Sequence, residues 1–142
     1  MEKEFIKVTI TFNEEQKQKF SNYIKKEFKL KEDLKDNEVS LYLKALILKL
    51  TGEVNFEEEL EEIEQRIKNN KEIGDEFVLS ELFSKAEWEN KSLYKMVLGR
   101  LFYNKCKDKM YREEIGIIED GKNVKKVQKY KKIKKKIKKE NG

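Results

Sequence analysis

The sequence contains no histidine and no proline, one cysteine, and only three arginines, Arg66, Arg100 and Arg112. Without histidine there can be no Ser–His or Cys–His nucleophilic pair and no imidazole metal site, and the commonest general base is missing. The single cysteine, Cys106, cannot form an intramolecular disulfide or a cysteine-cluster zinc site. We therefore expect a protein that is not an enzyme and that needs no metal or other cofactor.

Long apolar segments are also lacking. The most apolar stretch, residues 39–50, is roughly 12 residues long, whereas a bilayer-spanning helix needs about 20. The first residues, Met1-Glu2-Lys3-Glu4, have none of the apolar character of a signal peptide. These absences predict a cytoplasmic protein that does not associate with a membrane.

Charge is what the sequence has in excess, with 43% charged residues, 37% hydrophobic residues and a net charge of +5. So low an apolar fraction predicts small cores. The helix predicted over residues 39–50 is apolar on nearly every side, and such a helix must be buried on every side. A second copy of the chain would bury it, so the sequence predicts a homodimer.

The first 52 residues are predicted to form one strand and two helices. Ile6, Val8, Ile10 and Phe12 alternate with Lys7, Thr9 and Thr11, which predicts a half-buried strand over residues 5–12. Asn13 is a candidate N-cap for a helix that carries Phe20, Tyr23, Ile24 and Phe28 at helical spacing. A charged connection over residues 30–37 leads into the apolar helix, and Gly52 is its candidate C-terminal cap.

This order of elements resembles the ribbon-helix-helix DNA-binding fold over residues 4–52. The resemblance implies that two N-terminal strands pair across a dimer and enter the major groove, where Lys7, Thr9 and Thr11 would contact base edges. The alternative is a dimerisation module of the same shape that binds no DNA.

Residues 56–70 form an acidic segment. Six glutamates surround Leu60, Ile63 and Ile67, and the 4-3-4 spacing from Phe56 predicts a helix with one apolar stripe. The helix would connect two domains with a solvated face or extend the dimer as a short coiled coil. Alternatively, its carboxylates would imitate a phosphate backbone or mask the lysine tail when DNA is absent. A boundary is expected at residues 69–75, around Gly74.

Two helices are predicted beyond this boundary. The first is a short apolar helix over residues 77–83 that Ser80 could cap, and the second runs from Ser92 to about Lys109. One face of the second helix carries the predicted core, which is Leu93, Tyr94, Val97, Leu98, Leu101, Phe102 and Cys106. The opposite face carries Met96, Arg100, Tyr103 and Lys107, which suit phosphates and stacked bases if the surface is not simply solvated. In this core Cys106 is expected to be a small buried hydrophobe.

A basic hairpin is predicted next. Asp120-Gly121 is typical of a tight turn, and the returning segment carries Val124, Val127 and Tyr130 among lysines. The sequence after the boundary also contains Leu82-Phe83, Trp88, Leu98-Gly99-Arg100-Leu101-Phe102, and Gly121-Lys122-Asn123 with Tyr130. These residues resemble a small winged-helix-like domain family of mobile genetic elements over residues 76–133. One class of that family is associated with single-stranded DNA, so the resemblance implies a DNA-binding domain.

Eleven lysines lie between Lys122 and Lys139 without an acidic residue. They would bind nucleic acid by releasing counterions, lie on an anionic membrane as an amphipathic helix, or serve solubility alone; nucleic acid is the preferred reading. The predicted DNA-binding residues are Lys7, Thr9, Thr11, Met96, Arg100, Tyr103, Lys107, Lys122, Lys125, Lys126, Lys129, Lys131 and Lys132.

The sequence thus predicts an α+β, mostly helical chain. It comprises a ribbon-helix-helix-like domain (1–52), an acidic helical connector (53–75), a winged-helix-like domain (76–133) and a lysine-rich tail (134–142). The expected function is DNA binding by a homodimer, as a regulator or as an accessory replication or maintenance factor of a mobile element. The alternative is a protein-interaction module or inhibitor that acts on a host nuclease, or another protein, through the acidic helix.

Overall fold

A computed structural model of the chain describes residues 6–122 and 127–134. The fold is α+β and mostly helical, with six helices and one small antiparallel sheet in the described residues. The contacts divide the chain into two compact units, Met1–Val39 and Ser40–Gly142. In the described residues no helix has both the length and the apolar character needed to cross a membrane. Lys125 and Lys126, two of the predicted DNA-binding residues, and residues 135–142 of the predicted tail lie outside the described residues.

The first unit is built around helix α1, Glu14–Glu27. Asn13 caps it as predicted: its side chain accepts a hydrogen bond from the Gln16 backbone N–H, and the Gln16 side chain accepts one from the Asn13 backbone. Such a capping box satisfies two amides that the first helical turn leaves without partners. The chain then returns along α1, where the buried Ser21 hydroxyl accepts a hydrogen bond of 2.9 Å from the Leu34 amide.

The predicted strand at the start of the chain is absent from residues 6–12. Ile6, Val8 and Ile10 are 90%, 74% and 54% exposed, so this segment is not half-buried in the single chain. The physical reason is that a strand forms only beside a neighbour that completes its hydrogen-bond ladder, and no described strand of the chain pairs with it. Only its end is held, where the Phe12 ring stacks on Phe20 at 5.5 Å.

Helix α2, Asp36–Leu50, is the predicted apolar helix. It ends as predicted, because Gly52 follows it with a φ of +76°, a left-handed conformation that favours glycine. Tyr42, Ala45 and Leu46 are buried. Ile47 and Leu50, by contrast, are 51% and 69% exposed, so one side of this apolar helix is uncovered in the single chain.

Helix α3, Phe56–Asn70, has the bounds that its spacing predicts. The Asn55 side chain accepts a hydrogen bond from the Glu58 amide at its start. Phe56, Leu60, Ile63 and Ile67 are its buried residues, which confirms the predicted apolar stripe.

The helices after α3 differ from the prediction. Residues 77–83 are not a helix capped by Ser80: strand β1, Glu76–Phe77, is followed by a 3₁₀ turn, Leu79–Leu82. The next cap is Ser84, whose capping box with Glu87 begins α4, Lys85–Asn90. The helix predicted over residues 92–109 is shorter, with α5 at Lys95–Lys105, because Asp108 caps a separate helix α6 at Lys109–Ile115.

Strands β2, Ile117–Lys122, and β3, Gln128–Lys132, form the predicted hairpin, and β3 also pairs with β1 in the sheet order β1-β3-β2. The Asp120-Gly121 pair was expected to make the turn, but it does not. It lies inside β2, where the register shifts between Glu119 and Lys122 and Gly121 has a φ of +69°. The glycine therefore supports a β-bulge.

Candidate nucleic-acid interface

One face of α5 carries the cationic and aromatic side chains that the sequence singles out. Met96 is 65% exposed, Arg100 and Lys107 are exposed, and Tyr103 is half-buried. The Lys107 ammonium lies 4.9 Å from the centre of the Tyr103 ring. The spacing of Met96, Arg100 and Tyr103 places these three in a row on α5, and Lys107 lies just beyond the helix and joins them through its contact with the Tyr103 ring. We call the four residues the α5 stripe.

The opposite face of α5 fixes the stripe in position. Val97, Leu98, Leu101 and Phe102 are buried, as predicted. The Phe102 ring meets the buried Tyr130 ring of β3 edge to face, with 5.0 Å between ring centres. The helix is thus packed against the hairpin, and the α5 stripe is presented on a rigid element.

Leu93 was expected in the core but is 59% exposed. It precedes α5, in the turn that α4 and α5 share, and so escapes the helical face on which the sequence placed it.

Cys106 is fully buried beyond the end of α5, which confirms the expected small hydrophobe. Burial raises the pKa of its thiol well above the ordinary value, so the thiolate is disfavoured and the group is a poor nucleophile. Burial likewise raises the pKa of the neighbouring Tyr130 hydroxyl. Cys106 and Tyr130 thus both belong to the packed interior of this unit.

The lysines of the hairpin have different surroundings. Lys122, at the end of β2, is exposed. Lys129 lies 3.7 Å from carboxylate oxygens of both Glu76 and Asp120. Lys131 is half-exposed and lies opposite Glu76 and Ile118 in the sheet. The Lys132 ammonium is hydrogen-bonded to backbone carbonyls at the end of α3.

The predicted ribbon residues Lys7, Thr9 and Thr11 are all exposed in the first unit. The apolar residues between them are exposed as well. The segment therefore has two accessible faces, one polar and one apolar.

Half of the acidic residues of α3 are bonded within the second unit. The Glu59 carboxylate accepts hydrogen bonds from the Lys91 ammonium at 2.6 Å and the Tyr94 hydroxyl at 3.0 Å. Glu64 accepts one from the Tyr111 hydroxyl at 2.5 Å. Glu62 pairs with Arg66 at 2.9 Å. An outside partner of this helix would meet the exposed carboxylates of Glu57, Glu58 and Glu61 and the Glu62 side chain, which is 41% exposed.

Sequence reasoning missed two cations that stabilise this unit. Arg66 donates to both carboxylate oxygens of Glu87 and to the Leu82 carbonyl, and its guanidinium lies 4.5 Å from the centre of the Phe83 ring. These hydrogen bonds from Arg66, with those from Ser84, hold the pKa of Glu87 at about 2, below its ordinary value of 4.5.

The second cation, Lys91, is 9% exposed. Burial acts to lower the pKa of Lys91, but the hydrogen bond and charge of Glu59 outweigh it, and the pKa lies above its ordinary value. In the sequence Lys91 lies among other charged residues, and nothing there distinguishes it from an exposed lysine.

The second unit is thus an α+β domain that joins a packed acidic helix, a cationic helix face and a three-stranded sheet. Residues 61–132 match the family described as "Domain of unknown function (DUF1413)", and the match covers half of the chain. The chain belongs to this family. Comparisons with curated proteins and with solved structures found no match.

Proposed function

We propose that the protein is a dimeric DNA-binding protein that serves a mobile genetic element, either as a transcriptional regulator or as an accessory replication or maintenance factor. The observation that carries the proposal is the α5 stripe, in which the exposed Arg100 and Lys107 come before and after the half-buried Tyr103 and Lys107 lies over its ring. The link to a mobile element comes from the resemblance of residues 76–133 to a winged-helix-like family.

The chemistry of the α5 stripe supports nucleic acid over other anionic ligands. Each phosphate that a cation neutralises releases condensed counterions, which gives affinity without sequence preference. Tyr103 and Met96 add apolar surface on which bases can stack. Lys122 and Lys131 of the hairpin add exposed or half-exposed cations. Lys131 projects from the face of the sheet opposite the one that packs on α5, so it offers a second positive surface, separate from the stripe. In a winged-helix arrangement α5 and the hairpin would each contact the backbone.

The N-terminal segment supports a second contact and the dimer. In the ribbon-helix-helix arrangement residues 6–12 pair with the same segment of a second copy, which satisfies their backbone groups and buries Ile6, Val8 and Ile10. The polar face, with Lys7, Thr9 and Thr11, then lies outward as a two-stranded ribbon of the kind that enters a major groove. The exposure of both faces in the single chain is what this pairing requires.

Fluorescence anisotropy with labelled duplex and single-stranded DNA of mixed sequence, over a range of salt concentrations, tests the proposal. Each lost phosphate contact lowers the slope of log K against log salt by about 0.9 for duplex and about 0.7 for single strands. The double variant Arg100→Gln/Lys107→Gln should therefore lose nearly two units of duplex slope. Lys68→Gln/Lys85→Gln removes the same charge from two other exposed lysines of this unit and should retain most of the slope.

The results also separate the two surfaces. Alanine at Lys7, Thr9 and Thr11 should weaken duplex binding and leave single-strand binding unchanged if the ribbon contacts a groove. Equal losses of slope in the two double variants would reject the α5 stripe as the site. No binding of the unmodified protein to either DNA near physiological salt would reject DNA binding altogether.

A further inference from the structure

The two adjacent lysines of β3 differ in orientation. Successive side chains of a strand point to opposite faces of its sheet, and directly opposed residues share a face. Lys132 lies opposite the fully buried Ile117 and is two residues from the buried Tyr130. Lys131 lies opposite Ile118, which is 38% exposed. Lys132 therefore projects from the inner face of the sheet and Lys131 from the outer face.

The ammonium of Lys132 meets the carboxyl end of α3. It donates to the backbone carbonyls of Ile67 at 3.3 Å, Lys68 at 3.2 Å and Lys71 at 2.5 Å. The last carbonyls of a helix lack intrahelical partners and carry the negative end of its dipole. An ammonium offers three donors and no acceptor, and here they meet the carbonyls of Ile67 and Lys68 in the last turn and of Lys71 just beyond it. The Ile67 carbonyl also accepts a hydrogen bond from the Lys71 amide at 3.2 Å.

The backbone of Lys132 is held at the same place. Its carbonyl accepts a hydrogen bond of 2.8 Å from the Gly74 amide, and its amide donates one of 3.0 Å to the Asp75 carbonyl. The loop that carries these two residues follows α3 and leads into β1. Backbone and side chain of Lys132 thus join the base of the hairpin to both ends of this loop.

We infer that Lys132 is a positioning residue that docks the hairpin on the carboxyl end of α3, and that it is not a phosphate ligand. The acidic helix is then the support against which the hairpin is oriented, and Lys131 is the neighbouring lysine that can meet DNA. The part of the inference that concerns DNA rests on the proposed function, whereas the docking contact stands without it.

Three variants of the full chain test the assignment: Lys132→Met, Lys132→Arg and, as the matched control, Lys131→Met. Lys132→Met keeps the apolar stem and removes the donors, so its melting temperature should fall by about 3 °C or more. Arginine also donates to carbonyls, so Lys132→Arg should restore most of that loss. Lys131→Met should melt with the unmodified protein.

DNA binding supplies the second readout. A displaced hairpin loses geometry and not phosphate contacts, so Lys132→Met should weaken duplex binding several-fold by the same factor at every salt concentration. Lys131→Met should instead lower the salt slope by about 0.9. Lys132→Arg should regain affinity.

The opposite pattern overturns the inference. If Lys132→Met lowers the salt slope by about 0.9 and leaves the melting temperature unchanged, Lys132 is a phosphate ligand. If it changes neither quantity, the contact with α3 positions nothing. If the unmodified protein binds no DNA, the proposed function fails, while the melting temperatures and the arginine rescue still decide the docking role.

Discussion

The buried ion pair between α3 and the turn before α5 gives a prediction that can be worked through from the structure. Glu59 and Lys91 lie 2.6 Å apart, and their side chains are only 18% and 11% exposed. Replacing Glu59 with leucine retains most of its bulk and removes the carboxylate. Lys91 is then left with Glu62, at 3.9 Å, as its nearest anion, and the Tyr94 hydroxyl loses the partner that Glu59 provided.

The expected loss follows from the cost of stranding a charge. Removing one member of a buried pair costs about 3–5 kcal/mol, because the other charge stays desolvated. The remaining contact with Glu62 reduces this cost, so we expect a loss near 3 kcal/mol for Glu59→Leu. The double variant Glu59→Leu/Lys91→Met strands neither charge and should be more stable than the single variant, by at least about 1 kcal/mol.

Urea unfolding, followed by the fluorescence of Trp88, measures this free energy, because Trp88 is the only tryptophan and lies in the same unit. Glu61→Leu is the control: it makes the same chemical change at an exposed position of the same helix and should shift stability by less than about 0.5 kcal/mol. A Glu59→Leu variant as stable as this control would refute the reasoning. So would a double variant less stable than the single one, since the cost would then not come from a stranded charge.

Two further predictions concern the dimer and the acid stability. Ile47→Lys/Leu50→Lys changes only exposed positions of α2, so the chain should stay folded by circular dichroism but sediment as a monomer; a stable dimer would contradict the shared apolar helix. Glu87 has a folded pKa of about 2 against an ordinary 4.5, so it stabilises the fold above pH 4.5 and this stabilisation disappears as the pH falls towards 2. The urea midpoint of the Glu87→Gln variant should therefore fall less as the pH is lowered below about 4.5 than that of the unmodified protein. An equal fall in both proteins would show that the Glu87–Arg66 pair is not the source of the acid sensitivity.

The sequence predicted an element correctly where its capping residue and the spacing of its apolar residues both indicated the same helix. Asn13 and the spacing of Ile24 and Phe28 predicted α1, and the 4-3-4 spacing predicted α3. The segment 77–82 could not be predicted in the same way, because a short apolar run fits a helix or a strand equally well. Its conformation depends on pairing between Phe77 and Tyr130, which lie far apart in the sequence.

In the candidate site too, the sequence places residues that depend on one helix and fails for residues that depend on strand pairing. A helical wheel placed Met96, Arg100 and Tyr103 on one face, since the position of each of these side chains depends only on α5. The roles of Lys131 and Lys132 could not be separated, because the two are chemically identical and differ only in the face of β3 from which they project. Strand alternation separates such residues once the register with β2 is known.

This division limits what a count of lysines says about a nucleic-acid partner. Counterion release adds to DNA affinity only for cations that a phosphate can contact. Lys129 lies between two carboxylates and Lys132 at the end of a helix, so neither adds to the slope as a simple exposed lysine would. Beside these two lysines, the predicted site in the described part of the second unit contains the cations Arg100, Lys107, Lys122 and Lys131. If each of the four neutralised one phosphate, the duplex salt slope would be about 3–4 per chain. A larger slope would therefore measure what Lys7 and the lysines outside the described residues add.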